Sequence, residues 1–272
     1  MVDRIAVGGM AEVFRALEPR SVGEPRVVVL KRMLPHIAEE SNAQEMFAEE
    51  ARLASQVTHP NVVHVLGHGE IGGQPYLTLE YVPGCDLWRL NRRLTLEGKR
   101  LEHDLVVYIV RQILSGLDAV HSATDRRGGA LGIVHRDISP SNVLISIHGD
   151  VKIADFGIAR ADVNAFEADT AARANGKLGY LAPEQVSGGQ VDRRADLFST
   201  GVIAAELFMR RPLFAGGSEL AVLLAIRDAE VHPFVEFASK LPEGLGPVIL
   251  SALSAHPDER PPTARAFWAA LE

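Results

Sequence analysis

The residues before Pro83-Gly84 are built on β-branched runs and the residues after it on helical periodicities. That asymmetry limits the fold more than any other feature of the chain. Arg26-Val27-Val28-Val29-Leu30-Lys31, the run from Asn61 to Leu66, and Tyr76-Leu77-Thr78-Leu79-Glu80-Tyr81-Val82 each predict a strand. Between the first two, Ser41 to Gln56 predicts one helix, with Ser41 as N-cap, Glu45 nearby, and Met46, Phe47, Ala51, Leu53 and Ala54 as apolar positions. Beyond Pro83-Gly84, the spans Leu105 to Val120, Asp196 to Met209 and Glu219 to Ala229 carry apolar residues at helical spacing. Two short β runs, Asn142 to Ile147 and Val151 to Ala154, lie between these helices with His148-Gly149-Asp150 as their turn. The expectation is an α+β chain of two lobes. A small β-rich lobe with one long helix covers about residues 1–83, and a larger helical lobe covers about 84–272.

A length of 272 residues suits one large domain or two lobes sharing a cleft. The formal net charge of −7 argues against nucleic acid as the main partner, since such domains carry basic surfaces. Cys85 is the only cysteine, which excludes an internal disulfide and suits a reducing compartment. No uncharged apolar run approaches the roughly 18 residues of a spanning helix, and the charge-free stretch Gly244 to Pro257 is broken by Gly and Pro. No membrane contact is expected from this segment, and the expected location is the cytoplasm. The chain has only five lysines, Lys31, Lys99, Lys152, Lys177 and Lys240, so a reaction that needs an ammonium has few candidates.

Three motifs follow one another in the larger part. His135-Arg136-Asp137-Ile138-Ser139-Pro140-Ser141-Asn142 comes first, then Asp155-Phe156-Gly157, then Ala182-Pro183-Glu184. Phosphoryl transfer needs cations across the transferred phosphates, ligands that hold them, and a carboxylate that orients the attacking hydroxyl. A carboxylate, an amide five residues on, and a second carboxylate across a hairpin meet that need. Any one triplet alone is no more than a turn; their order and spacing together carry the signal.

In these motifs the sequence resembles the protein kinase family, and in particular bacterial serine/threonine kinases, over nearly its whole length. The resemblance implies a bilobal protein kinase-like fold, ATP with Mg²⁺ (Mn²⁺ as a substitute), and a protein substrate. It implies Asp137 as catalytic base, Asn142 and Asp155 as metal ligands, Phe156 packed beneath the metal loop and His135 supporting it. Glu184 would pair with Arg260, and Asp196 would brace the catalytic loop; a plain helix N-terminal carboxylate at Asp196 is compatible with that role. Val28-Val29-Leu30-Lys31 resembles the strand whose lysine meets the α- and β-phosphates, although composition alone reads Lys31 as a solvated strand-end lysine. Glu50 matches the helix glutamate that pairs with it, with Glu49 as competitor.

Leu79-Glu80-Tyr81-Val82 looks like the gatekeeper and hinge, with backbone groups of Glu80 and Val82 on the adenine edge and Leu79 lining its pocket. A buried strand without a ligand fits the same periodicity. Asp86 matches a ribose-binding position and equally a helix N-cap. Cys85 is expected at the outer edge of the nucleotide cleft. A transient homodimer for autophosphorylation is a further expectation, as is phosphorylation of Thr170, the one hydroxyl residue between Gly157 and Gly176, read by Arg136. A bland, flexible loop fits that interval as well.

The chain departs from the family pattern in two places. The phosphate-covering loop, G-x-G-x-x-G-x-V in the family, reads Ala6-Val7-Gly8-Gly9-Met10-Ala11-Glu12-Val13, so only the middle glycine is kept, with an extra one at Gly9. The lysine that follows the catalytic Asp by two residues is Ser139, while the later threonine of G-T-x-x-Y is Lys177 in Gly176-Lys177-Leu178-Gly179-Tyr180. Hydroxyl and ammonium have exchanged places. The expectation is that Lys177 supplies the ammonium near Asp137 and the γ-phosphate, and Ser139 the hydroxyl; a solvent-facing Lys177 is the alternative. Two other readings stand beside the active kinase. One is a pseudokinase serving as a nucleotide-binding or scaffolding module. The other is a small-molecule phosphotransferase of similar fold, against which Ala182-Pro183-Glu184, Asp196 and Arg260 weigh.

Overall fold

A computed structural model describes residues 2–21, 23–38, 41–156 and 177–272. Gly157, Thr170 and Gly176, and the expectations placed on them, lie outside the described residues.

The chain is α+β. Strands β1 (Asp3–Val7), β2 (Ala11–Glu18) and β3 (Arg26–Met33) form a meander, followed by the short helix α1 (Pro35–Ala38) and the long helix α2 (Ser41–Ala54). Strands β4 (Val65–Ile71) and β5 (Gln74–Glu80) complete a five-stranded sheet of order β1-β2-β3-β5-β4. Its β-branched strand β3 lies in the middle, paired to β2 and β5. Helix α2 turns Phe47, Ala51 and Ala54 inward onto this sheet at helical spacing.

The expected strand from Asn61 to Leu66 is corrected: only Val65 and Leu66 belong to β4. Val62 and Val63 are buried, but their backbone serves the other lobe. Val63 N–H donates to Ile153 O at 2.9 Å, and Ile153 N–H donates to Asn61 O at 2.9 Å. The Asn61 side-chain amide also donates to Gln112 Oε1 and Val151 O. The valine run thus docks the small lobe onto the large one. The third expected strand also shifts, since β5 ends at Glu80 and not at Val82.

The larger part opens with β6 (Gly84–Asp86), which joins β7 (Val143–Ser146) and β8 (Val151–Ile153) in a three-stranded sheet. Gly84 is needed there, because a Cβ would be driven into the backbone of Ile145. Helices α3 (Leu87–Leu96) and α4 (His103–His121) follow, and two single turns flank the undescribed segment, Pro140–Asn142 before it and Lys177–Tyr180 after it. Then come α5 (Pro183–Val186), α6 (Arg194–Met209), α7 (Glu219–Arg227), α8 (His232–Ala238), α9 (Leu245–Ala252) and α10 (Ala264–Ala270). In α6 every residue except Arg194 and Glu206 is buried, so this helix is the axis on which α4 and the site loops rest.

Arg260 is held beneath this core. Its guanidinium donates to both oxygens of Glu184 at 2.7 and 2.8 Å, to the carbonyls of Ser254, Arg194 and Ala255, and lies 4.9 Å from the Phe198 ring centroid. Breaking a buried, fully hydrogen-bonded pair leaves a carboxylate without its counter-charge, at a cost of about 3–5 kcal/mol. Arg260→Ala should therefore lower Tm by about 10 °C in calorimetry. A Tm unchanged from the parent would remove Arg260 from the set of residues that hold the large lobe together.

Candidate active site

The first turn of α6 sets the shape of the loop that carries Asp137. Asp196 is buried, and its carboxylate accepts the backbone N–H groups of His135 (2.9 Å) and Arg136 (2.8 Å). His121 Nε2 lies 2.7 Å from the same carboxylate. Burial works to raise the pKa of Asp196, but the His121 and His135 contacts prevail and hold it below the usual carboxylate range. Clamped in this way, Arg136 takes a left-handed φ of 62°, and Asp137 then lines the cleft. His135 is fully buried and stacks on Phe156 with ring centroids 5.1 Å apart. Burial pushes its pKa down, so the ring is neutral. Its partners assign the proton to Nε2, which faces Ala154 O at 3.2 Å, while Nδ1 faces the Asp137 N–H at 3.4 Å.

Asp137, Asn142 and Lys177 form a closed triangle. The Asn142 amide donates to Asp137 Oδ2 and to its backbone O, both at 2.8 Å. Lys177 Nζ donates to Asp137 Oδ2 at 2.9 Å and to Asn142 Oδ1 at 3.1 Å. The turn that presents Lys177 is anchored to α6, through Ser199 Oγ to Tyr180 O (2.6 Å) and Tyr180 Oη to Glu206 Oε2 (2.5 Å). Ser139 lines the same cleft, but its buried hydroxyl is held by Ser141 Oγ at 3.1 Å.

Across the cleft, Lys31 Nζ donates to Glu50 Oε1 at 2.9 Å and to Asp155 Oδ1 at 3.0 Å. Glu49 points elsewhere and pairs with Arg52 at 2.7 Å. Burial of Lys31 favours loss of its proton, yet the carboxylates of Asp155 and Glu50 outweigh it and hold the ammonium above its ordinary range. Lys31 in turn depresses the pKa of Asp155, which sits in the left-handed region at φ 57°. Ala6, Gly8, Gly9 and Val13 line the roof of this cleft of about 1470 Å³. Its loop closes as a tight turn, with Gly8 N–H donating to Ala11 O at 2.8 Å and Leu34 N–H to Met10 O at 2.9 Å.

The hinge stretch is not gathered with these groups. Leu79, Glu80 and Val82 are absent from the cleft lining among the described residues. The Glu80 N–H is taken by His64 O at 2.9 Å, which leaves only its carbonyl for an adenine edge. Its carboxylate accepts from His64 N–H and Lys152 Nζ, both at 2.8 Å, and so ties the end of β5 to β8. Sequence reasoning missed this tie, since the partners are far apart in the chain and nothing local marks them. Asp86 does line the cleft and also caps α3, accepting from Arg89 N–H at 2.7 Å. Cys85, expected at the cleft edge, lies in β6 with its backbone paired to Ile145 and is not in that lining.

Asn142 Oδ1 and the Asp155 carboxylate are hard oxygen donors on one cleft. That suits Mg²⁺, which takes one or two protein ligands and completes its shell with water and phosphate oxygens. Each donor is capped by an ammonium, Asn142 by Lys177 and Asp155 by Lys31. No group of three or more His, Cys, Asp or Glu able to cage a metal occurs among the described residues.

The chain is 40% identical to the tyrosine-protein kinase MasK of Myxococcus xanthus, which it matches over 100% of its own length and 42% of that protein. It is 38% identical to the probable serine/threonine-protein kinase SCO3848 of Streptomyces coelicolor, covering 93% of this chain and 36% of that one. With the serine/threonine-protein kinase PknL of Mycobacterium tuberculosis it shares 35% identity over 99% of this chain and 63% of the relative. The chain thus spans less than two thirds of each of these proteins. Among solved structures, the PknI kinase domain of Mycobacterium tuberculosis superposes with a TM-score of 0.70 at 26% identity, covering 99% of this chain and 92% of that one. The family model described as protein kinase domain matches residues 2–269. With that match running nearly end to end, the chain belongs to the protein kinase family.

Proposed function

We propose that this chain is an ATP-dependent serine/threonine protein kinase domain of bacterial signalling, acting on a protein hydroxyl in the cytoplasm. The observation that carries the reading is the Asp137–Asn142–Lys177 triangle, facing Lys31 and Asp155 across one cleft. The acceptor oxygen attacks the γ-phosphorus of ATP, the bond from that phosphorus to the bridging oxygen breaks, and ADP leaves. Asp137 orients the hydroxyl and takes its proton. Lys31, kept in place by Glu50, meets the α- and β-phosphates, and Lys177 meets the transferred group in place of the lysine that Ser139 replaces. Asn142 and Asp155 would hold Mg²⁺, which when bound neutralises phosphate charge. Ala6, Gly8, Gly9 and Val13 cover the phosphates and Asp86 meets the ribose; adenine is received by the carbonyl of Glu80 with Leu79 and Val82, although none of the three lines the cleft as it stands.

The experiment is incorporation of labelled phosphate from ATP with Mg²⁺ into the chain and into a mixed peptide set, followed by phosphoamino-acid analysis. Phosphoserine or phosphothreonine is the expected product. Phosphotyrosine alone would move the hydroxyl class toward that in the name of MasK. Nucleotide binding without any transfer would favour the scaffolding module.

A further inference from the structure

Between residues 87 and 100 the chain carries five basic side chains, Arg89, Arg92, Arg93, Lys99 and Arg100, against one acid, Glu97. The whole chain is at −7, so this segment stands out in sign. Helix α3 sorts its residues cleanly. Leu87 is buried and Leu90 packs on the core, while Trp88, Arg89, Arg92, Arg93 and Leu96 share one exposed face at i, i+3 and i+4 spacing. Trp88 is 46% exposed and Leu96 79%. The Arg92 guanidinium lies 5.3 Å over the Trp88 ring. Arg89 is paired with Asp86 at 3.2 Å, and Arg93 with Glu97 at 2.8 Å, which Lys99 shares. Arg92 has no carboxylate partner among the described residues. Arg210 Nη2 donates to Lys99 O at 3.2 Å, which brings the Arg210-Arg211 pair to the same end.

An aromatic ring among arginines is the composition of a recognition surface, in which aromatic and Arg side chains provide the anchors. The face also has a direction. Trp88 and Arg89 line the cleft that holds Asp137 and Lys177, and the other members run outward along α3 in a shallow depression. From Trp88 to Leu96 the helix rises about 12 Å, the reach of about four extended residues.

We propose that this face of α3 docks an acidic segment of the protein substrate, on the same polypeptide as the acceptor hydroxyl. Its carboxylates pair with Arg92 and Arg93, whose planar guanidiniums suit bidentate contact, and an apolar residue covers Trp88 and Leu96. The proposal rests on the kinase reading above and narrows its substrate class.

The test uses two peptides with the same serine acceptor, one flanked by Asp and Glu and the other by Asn and Gln. Binding is read by fluorescence anisotropy and transfer by kcat/KM. At about 0.05 M salt the acidic peptide should bind about 10-fold more tightly, and the preference should shrink at about 0.5 M salt as the charges are screened. The R92E/R93E variant should lose the preference and keep the parent rate on the neutral peptide. Equal affinity for both peptides, or an equal loss on both in the variant, overturns the proposal. So does a single-stranded oligonucleotide, or a phosphatidylserine vesicle, that displaces the acidic peptide at lower concentration than the peptide itself. Absence of transfer with a retained binding preference would leave the docking surface standing and strike the kinase reading instead.

Discussion

Asp137→Asn is expected to lower kcat about 10³-fold, the scale of a positioned base, while the affinity for ATP stays near the parent value. The carboxylate lies on the Asn142–Lys177 side of the cleft, whereas the paired ammonium of Lys31 stands on the opposite wall with Glu50 and Asp155. An amide of the same shape keeps the packing but cannot take a proton. Both donors, Asn142 Nδ2 and Lys177 Nζ, meet the same oxygen, Oδ2, so an asparagine that turns its carbonyl oxygen to that side keeps both contacts and loses the negative charge. Asp155→Asn should behave in the opposite way and lose Mg²⁺-dependent nucleotide affinity first. The comparison is made by nucleotide titration beside turnover. Unchanged turnover in Asp137→Asn would remove the base from that position.

Lys177→Thr is expected to cost about 10²-fold in kcat, the usual effect of deleting one charge donor at a transition state. The side chain is already where such a donor must be, 2.9 Å from Asp137 Oδ2 on a turn fixed to α6. A loop lysine in solvent gains little from any one geometry. This one is largely covered, with 16% of its side chain exposed, and bonds two site residues at once. The loss should appear in kcat and not in the KM for ATP, because the ammonium meets the group being transferred.

Much of this site could be read from the chain, since it rests on residues that come in fixed local order. The resemblance to the protein kinase motifs marked the loop from His135 to Asn142 and the Asp155-Phe156 pair, and matched Glu50 in preference to Glu49 as the partner that Lys31 has here. Long helices such as α4 were visible because one face is buried and the other is wet. What stayed hidden depends on distant partners. The valines at Val62 and Val63 look like a strand because they are branched and buried, yet it is β8 of the other lobe that buries them. Strand β1 is exposed throughout and has no alternation to read. The carboxylate of Glu80 meets Lys152, and the hydroxyl of Ser139 meets Ser141, and neither contact has a signature in sequence.

Whether Lys177 stands in for the lysine that Ser139 replaces is decided by a double-mutant cycle on single-turnover phosphoryl transfer. The four proteins are the parent, Lys177→Thr, Ser139→Lys and the double variant, each saturated with ATP so that chemistry is read apart from binding. Ser139 and Lys177 both line the cleft that holds Asp137, and the double variant asks whether a lysine at 139 can act there. The predicted result is that Ser139→Lys, added to Lys177→Thr, raises the transfer rate about 10-fold or more above the single variant, a coupling that additive losses cannot give. A parent-like rate in Lys177→Thr, or a double variant as slow as the two losses combined, would contradict it.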